Sequence, residues 1–100
     1  MSIQYSPKAR EDLREALEYL ADGSAESADD LQRGVERLLA QLDARDFEGP
    51  EDRLKSGAVV RSWPLSPYRI YYQRQAGGVL WVVRIYHQKR RPITRRRRRR

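Results

Sequence analysis

The chain has no cysteine, one histidine, one methionine and one phenylalanine in 100 residues, and no acidic residue after Asp52. Without cysteine there is no disulfide framework, thiolate nucleophile or thiolate metal site, which fits a reducing cytoplasm. One imidazole and no thiolate make a transition-metal site unexpected, and no other cofactor is expected. The N-terminus MSIQYSPKAREDL has no apolar secretory stretch, and the roughly 18 or more uninterrupted apolar residues of a membrane span are absent. No glycine-rich phosphate loop is present either. The expectation is therefore a soluble, cytoplasmic protein with no membrane partner.

What the chain does have is charge, unevenly placed. Residues 1–52 carry six basic residues against all fourteen acidic ones, a formal −8, whereas residues 53–100 carry fifteen basic residues and no acid. The net +7 thus conceals two oppositely charged halves. Nine of the basic residues lie in 89–100. Such a half attracts polyanions, nucleic acid first, or an acidic protein.

Local patterns predict one domain over residues 1–94. Residues 2–5 (SIQY) read as a short strand, and Ser6-Pro7 as a helix start, since Pro has no amide to leave unpaired and Ser caps one. Ala9, Leu13, Ala16, Leu17 and Leu20 form a stripe, with Glu11, Asp12, Arg14, Glu15 and Glu18 opposite, and Gly23 ends the helix. Ser24 or Ser27 opens a second helix, whose stripe is Ala28, Leu31, Val35, Leu38, Leu39 and Leu42; Gly34 within it suggests close packing on the first helix. Residues 43–57 read as irregular, with EGPEDR at 48–53 as a solvated loop.

After Gly57 the period falls to two. Residues 58–65, 67–75 and 78–88 form three antiparallel strands, with a tight hairpin at Ala76-Gly77-Gly78 and Pro64 ending the first strand at Trp63. The fold class is α+β: a short N-terminal strand and an antiparallel helical hairpin packed on one face of an antiparallel sheet, in the order β-α-α-β-β-β. Alternation within strands then suggests a face under the helices holding Val60, Ile70, Tyr72, Val83 and Ile85, with His87 in phase. The opposite face would gather Arg61, Arg69, Arg84, Tyr71 and Tyr86. Guanidinium groups beside tyrosine rings suit a phosphate backbone or single-stranded RNA; equally, they suit a partner's carboxylates.

Three pieces in this order resemble a known family: YSPKAREDLREALEYLA, then VVRSWPLSPYRIYYQRQ, then VLWVVRIYHQKRRPI. Together they resemble the RelE/ParE superfamily of toxins from type II toxin–antitoxin modules, closest to the ParE, plasmid-stabilisation branch, over roughly residues 3–93. The resemblance implies a strand, helical hairpin and antiparallel sheet, and a toxin restrained by a cognate antitoxin. ParE-like members inhibit DNA gyrase; RelE-like members cleave mRNA on the ribosome.

Cleavage of the second kind needs a positioned proton acceptor and donor beside the cations. Arg61, Arg69, Arg84, Tyr86 and His87 are the groups on offer, with no carboxylate after Asp52 and with His87 better suited to packing. A non-catalytic gyrase inhibitor is thus the favoured reading, contacting target or nucleic acid through Arg61, Arg69, Tyr71, Arg84, Tyr86, Lys89, Arg90 and Arg91. A toxin-fold remnant that only joins its antitoxin on DNA is a third reading. Arg95–Arg100 lies beyond the resemblance, and six adjacent cations repel one another and bury nothing, so a disordered tail with non-specific nucleic-acid contact is expected. Truncation after Thr94 is expected to leave thermal unfolding unchanged while flattening the salt dependence of DNA or RNA binding, by roughly 0.9 in log–log slope per arginine engaged. Binding titrations over a salt series check this.

Overall fold

The computed structural model describes residues 2–90, 93 and 94. It contains β1 (Ser2–Tyr5), α1 (Pro7–Gly23), α2 (Ala25–Asp43), β2 (Glu51–Arg53), β3 (Val59–Leu65), β4 (Tyr68–Gln75) and β5 (Val79–His87). Both helices begin at the serines that can cap them: Ser6 Oγ accepts from Ala9 N–H at 2.9 Å, and Ser24 Oγ from Ser27 N–H at 3.2 Å. The β4–β5 hairpin turns through Gly77 and Gly78, at φ of 78° and 77°, a region that side chains disfavour.

The sheet order is β1-β5-β4-β3-β2, and β1 runs parallel to β5 while the other pairs are antiparallel. The sheet is therefore mixed, with β1 on one edge. The other edge is a strand absent from the sequence reading, because β2 is three charged residues with no apolar alternation. Pro64 does not end β3, which continues to Leu65 with Pro64 opposite Arg69.

The two helices cover one face, where Ala9, Ala16, Leu31, Val35, Leu38, Leu39 and Leu42 pack on Tyr68, Ile70, Tyr72, Leu80, Val82 and Ile85. Gly34 faces the side chain of Leu65, 3.5 Å from where a Cβ would stand, so its neighbour is β3 and not the first helix. A smaller cluster lies on the other face: Leu54, Val60 and Tyr71 are buried there, with Ala58, Val83, Tyr86 and Ile93 packed around them. The chain after β5 helps to cover it, since Lys55 N–H donates to Ile93 C=O at 2.8 Å and Leu54 bridges Thr94.

Two strands differ in phase from simple alternation. In β5, Tyr71 lies opposite Arg84 but Tyr72 lies opposite Val82, so Val83 is an extra residue in a bulge. Leu80 and Val82 consequently face the helices ahead of the bulge and Ile85 after it, while Val83 packs on the far side. In β3, Arg61 lies opposite Tyr72 and Ser62 opposite Tyr71, which puts Val60 on the far face and Arg61 on the helix side.

Residues 48–53 are not a solvated loop. Tyr72, fully buried, donates its hydroxyl to Glu48 Oε1 at 3.0 Å and accepts from Gly49 N–H at 2.8 Å. A Cβ on Gly49 would stand 2.0 Å from Ser62 C=O, so only glycine lets this segment seat on β3. Glu48 also binds Arg74 at 2.8 Å and Arg61 at 3.4 Å, and Arg74 donates to Leu42 C=O at the end of α2. The Arg74 hydrogen bond, foremost, holds the Glu48 carboxyl below the usual carboxylate range.

Tyr72→Phe leaves the buried Gly49 N–H unpaired and is expected to cost about 1–3 kcal/mol in denaturant unfolding. Because Glu48 titrates lower in the folded chain than in the unfolded one, its stabilisation is present above the ordinary glutamate pKa and is lost as pH falls through the depressed folded value. Glu48→Gln is therefore expected to lower stability near neutrality and to make the acid limb of a stability–pH curve shallower than that of the parent chain.

Candidate functional site

The last strand meets the first helix at the site. β1 ends at Tyr5, opposite Val82, so the edge of β5 beyond that point has no strand beside it. The start of α1 occupies the gap. Ser6 Oγ donates to Val83 C=O at 2.7 Å, and Asp12 Oδ2 accepts from Ile85 N–H at 3.0 Å. The same carboxylate grips Arg84 with both oxygens, at 2.7 Å to Nε and 3.0 Å to Nη2. Side-chain exposure is 7% for Asp12 and 20% for Arg84, so this is a largely desolvated bidentate pair. The Asp12 hydrogen bond raises the Arg84 guanidinium further above its ordinary value.

Beside this pair lies a basic corner. The Arg84 guanidinium sits 5.0 Å from the centre of the Tyr86 ring and that of Arg90 sits 5.8 Å from it, both within cation–π range. Arg69 lies opposite Tyr86 across the β4–β5 ladder, and its Nη1 donates to the buried Ser62 hydroxyl at 2.7 Å. Lys89 is exposed next to Arg90, with its backbone N–H donated to His87 Nδ1. Among the described residues, Arg69, Lys89 and Arg90 are in no ion pair. Their charge is thus unpaired among the described residues, and such cations beside a tyrosine ring can receive a carboxylate or a phosphate.

This corner is only part of the surface expected from alternation. Arg69 and Tyr86 do share the face away from the helices. Tyr71 shares it too but is 8% exposed, buried with Leu54 and Val60, and burial pushes its hydroxyl pKa up. Arg84 is rooted opposite Tyr71, yet its guanidinium is anchored to Asp12. Arg61 stands on the helix side, donating to Gly49 C=O at 2.8 Å and pairing with Glu48. His87 also faces the helix side, opposite Tyr68 and edge-on to its ring at 5.1 Å. Arg61, Arg69, Arg84, Tyr86 and His87 therefore do not converge on one point. Arg91 and Arg95–Arg100 lie outside the described residues.

Two residues of the site escaped the sequence reading. Asp12 reads in sequence as one of the charged residues opposite the apolar stripe, although it stands three residues after Ala9 and four before Ala16, both buried; an acid on an apolar stripe marks a buried partner. Ser62, as a small polar residue in an apolar strand, carries a fainter version of the same mark.

The comparisons with known proteins agree with this architecture. Residues 3–92 match the model of the family described as the ParE toxin of the type II toxin–antitoxin system, parDE. No curated protein matches the chain. Among solved structures, a chain of the chromosomal ParDE TA system from P. aeruginosa superposes with a TM-score of 0.65 at 21% identity, covering 87% of this chain and 95% of that one. That likeness is one of fold. With nine-tenths of its length matched by the family, from β1 to just past β5, the chain belongs to the ParE toxins of type II toxin–antitoxin systems.

Proposed function

We propose that this toxin acts in the cytoplasm by binding, with DNA gyrase as its target, and is neutralised by a cognate antitoxin. The observation that carries the reading is the basic corner: Arg69, Lys89 and Arg90 are in no ion pair among the described residues, and Tyr86 stands among them. Such a surface grips an anionic partner, whereas the acid–base pair that cleavage needs is not assembled on it, since the His87 ring packs on Tyr68 on the helix side and leaves only Tyr86 and Lys89 beside the cations. Binding inhibition requires only the first property, whereas phosphodiester cleavage requires both. In this reading Arg69, Tyr86, Lys89 and Arg90 contact the target, Arg91 and the terminal arginines add non-specific attraction to its DNA, and Arg84 positions Tyr86. An acidic antitoxin segment meets the same corner and competes for it.

Purified, antitoxin-free toxin is expected to block gyrase supercoiling while leaving mRNA intact in a translating extract. Cut message with normal supercoiling would replace this reading with the RelE-like ribonuclease, and neither effect would leave only a role beside the antitoxin. Arg90→Glu is expected to weaken inhibition roughly tenfold or more with the melting temperature unchanged, and Arg69→Glu to weaken it as much while also lowering the melting temperature, since it removes the donor to the buried Ser62 hydroxyl. Arg84→Ala, in contrast, strips Asp12 of its cation and is expected to cost about 3 kcal/mol in stability.

A further inference from the structure

Sharing Arg90 with the basic corner and Asp12 with the pair that anchors Arg84, a groove of about 260 Å³ runs between α1 and the ends of β4 and β5, with Glu15 and Tyr19 on one side and Tyr68 and His87 on the other. Tyr19 is 76% exposed, the most exposed large apolar side chain among the described residues. Its ring stands at the groove, across from Tyr68. Tyr68 and His87 pack edge to face there, so the far wall is aromatic.

The charges of the groove are also unspent. Arg14 pairs with Glu11 and Glu18 on either side, and Arg84 takes Asp12, which leaves Glu15 on the α1 wall in no ion pair among the described residues. Arg90 on the opposite wall is likewise in none. One wall thus offers a ring and an anion, and the other offers rings and a cation.

A two-fold axis exchanges the walls. We infer that this groove is a self-complementary contact between two copies of the chain. Tyr19 of each copy enters the groove of the other against Tyr68 and His87, and Glu15 of each meets Arg90 of the other. A two-fold interface requires that if residue i meets residue j, then j meets i, and a surface divided into complementary halves satisfies that condition where a uniformly charged one cannot. Aromatic side chains and arginine are also the residue types that carry interface energy. The net charge of +7 opposes association in general, so the graded groove selects the one orientation in which unlike charges meet.

Sedimentation velocity of the purified full chain over a range of micromolar concentrations tests this. The parent chain is expected to pass from monomer to dimer as concentration rises. Tyr19→Asp, Glu15→Arg and Arg90→Glu are each expected to raise the dimer dissociation constant roughly tenfold or more, with unchanged circular dichroism and melting. The exchange variant carrying both Glu15→Arg and Arg90→Glu is expected to recover dimerisation, which loss of folding or of general solubility would not produce. A chain that stays monomeric throughout, including one whose groove is instead filled by an antitoxin segment, overturns the inference. So does a dimer that survives the single charge reversals.

Discussion

The Asp12 carboxylate is the point on which the arrangement turns. A four-residue β1 can neighbour only the first part of β5, so the remainder of that strand would present unpaired backbone to solvent at the sheet edge. Asp12 accepts the Ile85 N–H that no strand accepts, and Ser6, already capping α1, donates to Val83 C=O. A helix thereby closes an edge that a strand leaves open. The bulge at Val83 lets this happen, because it turns the backbone there while keeping both Val82 and Ile85 in the core. The carboxylate is in turn nearly desolvated, which is tolerable only because Arg84 and the Ile85 amide both donate to it.

From that constraint follows the character of the far face. Arg84 is drawn to the edge, so the open sheet surface loses one of its expected cations, and Arg61 is on the other side holding Glu48 and the segment before β2. The space between becomes a second small core of Leu54, Val60 and Tyr71, closed by Ile93. Neither face of this sheet is fully bare. What remains open is the end near β5, where Arg69, Tyr86, Lys89 and Arg90 lie together, a site displaced from the centre of the sheet to its corner.

Much of the fold is legible in the residues because caps and periods are local properties. Ser6-Pro7, Gly23-Ser24 and Gly77-Gly78 mark their boundaries by backbone chemistry alone, and the Leu/Val stripe of α2 names its buried face without reference to any partner. Faces across strands are another matter. Within β4 the alternation reads correctly, with Ile70 and Tyr72 in the main core and Arg69 and Tyr71 opposite. Phase cannot be carried from β4 to its neighbours without their register, and the apolar character of Val60 suits either core. In β5 a single inserted residue reverses the parity halfway along the strand. β2 is hidden for a different reason: it pairs with β3 through three charged residues, Glu51–Arg53, that carry no apolar pattern of their own.

The division of charge along the chain acquires a physical meaning once folded. Acids exist only in the first half, and among the described residues only Asp12 of α1 and Glu48 before β2 make ion pairs with the sheet. Each is spent where it closes a structural gap: Asp12 at the open edge, Glu48 at the end of α2. On the helical hairpin the other ion pairs are local, Arg14 with Glu11 and Glu18 and Arg33 with Asp30, whereas Arg69 on the sheet and Lys89 and Arg90 just past it are in no ion pair among the described residues. Folding therefore leaves a cationic corner at the end of β5 while the helical hairpin carries most of the acids. A conventional surface with both signs interspersed would stabilise the monomer about as well. It would leave no end of the sheet with a net charge of one sign.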